Sequence, residues 1–203
     1  MKFIAHRFGN DALTLRDAER VTDLIELDVH LGLGGRVEAR HAKKLWFTRR
    51  LWEKWYLLPA GTVVPSLSSI LDAASAETTI WLDLKGFTPR LSHRVLREVG
   101  DRRPLIVSTK PWWLLAPFSS EPEIRTIRSA GNRFELVLLL FLPSRLRAQG
   151  SVVHVRLLSE WVMRRLRERG EVYTWAVEDR ATIDRLRRAG VSGVIVDDLD
   201  LIP

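Results

Sequence analysis

The sequence predicts an α/β fold, a compact (β/α)8 TIM barrel with some of its helices shortened. Two observations predict the class. Short β-rich runs alternate with helix-period stretches from one end of the chain to the other, the pattern of a parallel sheet. Eight such runs are present, the number that closes a barrel. A third observation fits the barrel in particular: polar and ionisable residues collect at the C-terminal ends of the runs, where βα barrels carry their active sites. An open doubly wound sheet is the competing architecture.

Taken in order, the predicted strands cover residues 3–6, 24–31, 80–85, 105–108, 135–140, 152–156, 172–177 and 193–197. The predicted helices cover residues 13–22, 66–76, 89–99, 121–130, 159–169 and 180–189. The unit is plainest near the C-terminus, where RLRERGEVYTWAV and RLRRAGVSGVIVDD both read as helix end, glycine stop and buried strand. The 203 residues suffice for one large core, and no change of composition marks a boundary, so residues 1–203 are expected to form one domain. A barrel of this kind usually takes about 250 residues, which implies shortened helices. The stretch after Leu142, PSRLRAQG, leaves barely two turns and is the first candidate.

The second strand, LIELDVHL at 24–31, organises the rest. Side chains alternate along a strand, so Glu26, Asp28 and His30 face one way while Ile25, Leu27 and Val29 face the other. Two carboxylates on one face of an apolar strand repel each other and lose hydration, and a divalent cation offsets both costs. An edge strand with a solvated acidic face is the simpler alternative.

After that strand the rhythm breaks. Residues 43–64 form an insertion on the C-terminal rim, opening with KKLWFTRRLWEKWY, which packs three of the eight tryptophans among basic residues. It reads first as a helix folded over the barrel mouth with its aromatic side inward. The alternative is a basic, aromatic lip that gathers a phosphate head group or touches a lipid surface. PWWLLAPF at 111–118 is expected on the same rim.

Composition narrows the function. Without cysteine there is no disulfide, thiol nucleophile or zinc–thiolate site, which fits a reducing compartment. No apolar run approaches the roughly 18 residues that span a bilayer, and MKFIAHRFGND does not read as a secretory signal, so a cytoplasmic location is expected. The net charge of +7 comes mostly from arginines, many of them in helix-like stretches where solvated faces are the default explanation, the alternative being attraction to anionic substrates or membrane surfaces. No zinc-finger spacing, RNA-binding signature or Walker loop is present, and no nucleic-acid partner is expected.

The strand ends hold the candidate chemistry. His6 and Arg7 close the first strand, Glu26 and Asp28 lie on the second, and His41 follows it. Asp83 and Lys85 close the third strand, Trp175 lies on the seventh, and Asp197 ends the eighth. Each has a structural alternative: a surface histidine, a strand-end ion pair, a core tryptophan. Their joint order is harder to obtain by accident.

IAHR at 4–7, IELDVHL at 25–31, His41, PSLSSIL at 65–71, LDLKG at 82–86, TWAV at 174–177 and GVIVDD at 193–198 together resemble the glycerophosphodiester phosphodiesterase family. The resemblance spans essentially the whole chain. The sphingomyelinase D type of phospholipase shares this barrel and much of this site. The resemblance implies that Glu26, Asp28 and Asp83 bind one divalent cation, Mg²⁺ or Ca²⁺, and that His6 and His41 flank the scissile phosphodiester as an acid–base pair. It further implies that Arg7 and Lys85 contact phosphate oxygens and that Trp175 lines the substrate mouth. The implied reaction hydrolyses a glycerophosphodiester to sn-glycerol 3-phosphate and an alcohol, commonly with the substrate's own neighbouring hydroxyl as the attacking group. Elementary chemistry asks for the same residue types. Carboxylates suit a hard cation, and histidine both takes and gives protons near neutral pH.

Several positions depart from the family's pattern. Phe8 stands where a glycine is usual, GND at 9–11 replaces the following motif, Ala42 stands where an Asp follows the second histidine, and Asp83 stands where the hydrolases usually carry Glu. Asp83 followed by Leu and Lys matches the sphingomyelinase D branch. That match motivates a second reading, a lysophospholipase D-like lyase that stops at the cyclic phosphate. Phe8, Asn10 and Ala42 motivate a third, a non-catalytic barrel that binds phosphate or lipid head groups. The expected partner is a small glycerophosphodiester or lysophospholipid, with peripheral membrane contact through the rim. His30 and His154 read as structural.

Overall fold

The computed structural model describes residues 1–44, 51–53, 56–59, 61–102, 104–141 and 148–203. Eight parallel strands follow one another around a closed barrel: β1 Lys2–Ala5, β2 Leu24–Leu31, β3 Thr79–Lys85, β4 Leu105–Thr109, β5 Ile124–Ala130, β6 Gly150–His154, β7 Glu171–Val177 and β8 Gly193–Val196. β1 pairs with β2 on one side and with β8 on the other. That closure excludes the open doubly wound sheet.

Among the described residues, six α-helices pack outside: α1 Ala12–Glu19, α2 Leu67–Ala73, α3 Pro89–Val99, α4 Arg133–Phe141, α5 Glu160–Arg167 and α6 Arg180–Arg188. Local chemistry starts them. The side chains of Asp11, Ser66, Ser159 and Asp179 each accept an N–H from the first turn of α1, α2, α5 and α6, and Pro89 opens α3. The shortened connection follows β4, where Trp112–Phe118 forms a 3-10 run broken by Pro117. The shortening expected in the stretch after Leu142, residues 143–150, falls largely outside the described residues, which resume at 148.

One unit differs from its sequence reading. Residues 121–130 were expected to be helical and 135–140 to form the fifth strand, whereas Ile124–Ala130 is the strand and Arg133–Phe141 the helix. Helix α4 has no polar face to betray its period. It buries Leu136, Leu139 and Leu140 while exposing Phe134, Val137, Leu138 and Phe141. The strand β5 carries Arg125 and Arg128 at helix-like spacing. Their compensation is distant in sequence: Arg125 pairs with Glu171, and Arg128 lies over the Trp112 ring.

Inside the barrel, each strand contributes one apolar side chain to a plug: Ile4, Leu24, Trp81, Ile106, Ile127, Val152, Tyr173 and Ile195. Trp81 meets Tyr173 edge-on, with ring centroids 4.9 Å apart. The opposite strand faces pack against the helices in two clusters, one around Ile25, Leu27 and Val29, the other around Val153, Val172 and Val194. The plug fills the barrel below and leaves the C-terminal mouth for polar side chains.

The rim insertion is not the expected helix. Its described parts form a three-stranded antiparallel sheet of Lys43–Lys44, Leu51–Glu53 and Tyr56–Leu57. Leu51 is buried, whereas Trp52, Tyr56 and Leu57 are exposed. A short strand Val37–Ala39 turns back antiparallel on β2 and leads into it. Among the described residues, no helix is long and apolar enough to cross a membrane.

Candidate active site

The alternation along β2 continues upward from the plug. Leu24 belongs to the barrel interior, and Glu26 and Asp28 follow above it on the same face. Both are buried, Glu26 at 3% exposure and Asp28 at 0%, so this is no solvated edge. On β3, in register with β2, Asp83 stands beside Asp28 and Lys85 beside His30. Oxygen atoms of Glu26, Asp28 and Asp83 all lie within 4.8 Å of one another.

The cluster is held from several sides. Arg7, in the left-handed conformation at φ 64°, turns its backbone N–H onto Glu26 Oε2 at 2.8 Å. Its side chain approaches Asp28, with Nε 3.4 Å from Oδ2. Asn10 reaches the same residue twice, donating from Nδ2 to Asp28 Oδ2 at 3.3 Å and accepting the Asp28 backbone N–H at 2.8 Å. Lys85 Nζ lies 2.8 Å from Asp28 Oδ1 and also contacts Asp83. Ser108 donates to Asp83 Oδ1 at 2.9 Å while accepting the Trp81 indole N–H at 2.9 Å. The polar site is thereby tied to the apolar plug.

Electrostatics matches this crowding. Burial, then the neighbouring Asp28 charge, pushes the Glu26 carboxyl well above its ordinary range. Burial would raise Asp28 too, but Lys85 and Arg7 outweigh it and hold Asp28 below its ordinary value. Lys85, despite burial, is raised by Asp83, Asp28 and Glu26. A site that keeps three carboxylates converging, one of them resisting ionisation, suits a hard divalent cation. Asp28 Oδ1 fits that reading: it is buried, and its approach to Lys85 lacks hydrogen-bond geometry. Glu26, Asp28 and Asp83 would hold the ion.

Two imidazoles face the same space. Nδ1 of His6 lies 2.6 Å from Asp197 Oδ1; a carboxylate only accepts, so Nδ1 carries the proton and Nε2 turns inward, 3.9 Å from Glu26. His41 Nδ1 lies 2.5 Å from Glu53 Oε1 in the rim sheet. Trp175 enters at a break in the β7–β8 register, between Thr174 and Val177, where Ala176 takes φ 61°. That bulge re-aims the indole at the mouth, where it packs 5.6 Å from the His154 ring. A cavity of about 230 Å³ is lined by His6, Arg7, Glu26, His41, Asp83, Lys85 and Trp175, and Asp28 lies buried beneath it.

The fold has counterparts among solved structures. A glycerophosphodiester phosphodiesterase from Thermotoga maritima superposes with a TM-score of 0.79 at 17% identity, covering 99% of this chain and 96% of that one. A phosphodiesterase from Oleispira antarctica, in complex with the product sn-glycerol-3-phosphate, gives 0.75 at 17% identity, covering 97% and 93%. The chain has the fold of the glycerophosphodiester phosphodiesterases. A third example, from Parabacteroides distasonis, gives 0.71 at 18% identity, covering 97% and 92%. No protein-family model matches the sequence. No curated protein matches it.

On this barrel, all eight residues singled out from the sequence come together at one mouth. Asp197, noted only as a strand end, proves to be the partner of His6. Asn10, Glu53, Ser108 and Lys110 were not anticipated. Ser108 lies on β4 in register with Asp83, a signal available once the strands are paired. Lys110 lines the cavity beyond the end of β4. Glu53 is brought in by an insertion whose course no local pattern announces.

Proposed function

We propose that this protein is a divalent-cation-dependent phosphodiesterase that hydrolyses glycerophosphodiesters to sn-glycerol 3-phosphate and an alcohol. One observation carries the reading: three convergent carboxylates and two imidazoles, each with Nδ1 held by a further carboxylate, line or underlie a single cavity. The neighbours named as glycerophosphodiester phosphodiesterases support it, as does the product bound to one of them.

In this reading, His6 and His41 present Nε2 to the scissile diester from two sides. One takes the proton of the attacking substrate hydroxyl; the other gives a proton to the leaving alkoxide as the P–O bond breaks. Water then opens the resulting cyclic phosphate, with the two roles exchanged. Lys85 and Arg7 contact non-bridging oxygens, and Trp175 walls the alcohol side. Glu26, Asp28 and Asp83 would hold a divalent cation, Mg²⁺ or Ca²⁺, which would supply polarisation and charge compensation at the phosphoryl group.

The test is release of sn-glycerol 3-phosphate from glycerophosphocholine by the wild type and by His6→Ala, His41→Ala and Glu26→Ala, with thermal unfolding as a control on folding. His6→Ala and His41→Ala should each remove at least about 100-fold of turnover, the scale of general acid–base catalysis, and Glu26→Ala should lower turnover comparably by removing a cation ligand, all without unfolding the barrel. Unimpaired turnover in any variant overturns that residue's role.

A second reading keeps the site and ends the reaction at the cyclic phosphate, with a lysophospholipid as substrate. It is favoured by Asp83 and by the exposed Phe87 and Trp113, whose rings lie 6.3 Å apart beyond β3 and β4. That aromatic pair would give the rim peripheral contact with a lipid surface. Co-sedimentation with phosphatidylglycerol vesicles, lost in Trp113→Ala, tests the contact.

A further inference from the structure

The rim insertion leaves the barrel at Ala42 and returns a carboxylate to it. Lys43 and Lys44 pair antiparallel with Trp52 and Leu51, so continuing the ladder sets Glu53 across from Ala42, next to His41. Glu53 Oε1 then meets His41 Nδ1 at 2.5 Å, the two side chains being 18% and 31% exposed. Arg40 turns to Glu38 at 2.8 Å and to the Ala42 carbonyl, and Ala42 offers no side-chain acceptor. Among the described residues, His41 has no second ion-pair partner.

We propose that Glu53 is the positioning residue of His41, so that the rim insertion is a working part of the active site and not only a lip around it. An imidazole on a loop can rotate and can carry its proton on either nitrogen. A carboxylate on Nδ1 fixes both, because it accepts only from N–H and leaves the Nε2 lone pair pointing away from itself. His41 lines the cavity, so the free nitrogen is delivered there. His6 is treated identically by Asp197 at 2.6 Å. The two arrangements differ in origin. Asp197 follows a barrel strand with parallel neighbours, whereas Glu53 sits on a small outlying sheet whose seat on the barrel decides where His41 points. A merely structural ion pair would fasten the hairpin down and leave the imidazole indifferent. That alternative makes different predictions.

The inference rests on the acid–base role given to His41 above, and its test has one readout independent of turnover. Side-chain ¹⁵N–¹H NMR of the five histidines, assigned by substitution, reports which nitrogen of each carries the proton. The wild type should show His41 as the Nδ1–H form with a strongly downfield proton, and Glu53→Ala should lose that signal. Turnover of glycerophosphocholine should fall roughly 10- to 100-fold in kcat, the usual scale for a group that orients a functional histidine. KM should stay within about twofold, since substrate binding is not what is lost. Glu53→Asp should recover part of kcat and of the signal, and thermal unfolding midpoints should exclude loss of the fold. An unchanged His41 signal, or an unchanged kcat, in a folded Glu53→Ala protein overturns the proposal. A protein inactive on every diester, whose His41 signal still depends on Glu53, supports the positioning and overturns only the phosphodiesterase reading.

Discussion

Ser108→Ala tests how the site is anchored to the core. Ser108 is 2% exposed and makes two bonds: it accepts from the fully buried Trp81 indole and donates to Asp83. Removing its hydroxyl strands the indole N–H, at about 1–3 kcal/mol for an unsatisfied buried group. Ser108 lines the cavity, so a water can enter the vacated space, and the cost should settle near about 1–2 kcal/mol. Asp83 is partly exposed, and its freed oxygen is rehydrated at little cost. The decisive assay is a double-mutant cycle with Trp81→Phe, read by urea unfolding followed by circular dichroism. Phenylalanine has no N–H to strand, so Ser108→Ala in that background should cost less than about 0.5 kcal/mol, leaving a coupling near 1 kcal/mol. Divalent-cation affinity, measured by titration calorimetry, should also fall in Ser108→Ala, by roughly 10-fold or more, because Asp83 loses the donor that orients it. Equal costs in both backgrounds would refute the indole argument, and unchanged affinity would refute the orienting role.

Two further outcomes follow from the same contacts. Asn10→Ala removes the acceptor of the Asp28 backbone N–H at a residue with no exposure, so urea unfolding should show a loss of about 1–3 kcal/mol; a loss under about 0.3 kcal/mol would mean the bond is replaceable. His30 is held neutral by burial and by the Arg40 charge, its pKa pushed down to about 3, and its Nε2 has no hydrogen-bond partner. The unfolded chain takes up this proton below about pH 6.5 while the folded protein does not until about pH 3, so the contribution of His30 to stability falls as pH drops through that window. At pH 5 the linkage amounts to about 2 kcal/mol, and the difference in stability between His30→Gln and wild type should shift by that amount between pH 7.5 and 5. Parallel stability–pH curves for the two proteins would contradict it.

The sequence makes most of the barrel and the heart of the site legible, for reasons that residues can illustrate. Period-2 alternation in LIELDVHL puts Glu26 and Asp28 on one face, which the structure turns into the barrel, and Pro89 fixes the start of α3, whose range matches its prediction end to end. Where local pattern and tertiary partner disagree, reading fails. FELVLLLF looks like a buried strand because its outer face is apolar too, and IRTIRSA looks helical because Glu171 and Trp112 compensate its arginines from afar. The insertion is the same case in the site. Its Trp-rich, basic composition suggested a covering helix, but β-pairing returns Glu53 to His41, a contact twelve residues apart that composition does not encode.

In the proposed function, the carboxylate trio and the two histidines cleave a glycerophosphodiester with a divalent cation. Phosphorus NMR of the purified protein with glycerophosphocholine, and separately with lysophosphatidylcholine, tests it most directly, each run with Mg²⁺, with Ca²⁺ and with EDTA. The claim predicts a phosphomonoester signal that grows from glycerophosphocholine only when a cation is present. A cyclic-phosphate signal that persists would move the protein to the lyase reading. Unchanged substrate in every tube, or growth undiminished by EDTA, would contradict the claim.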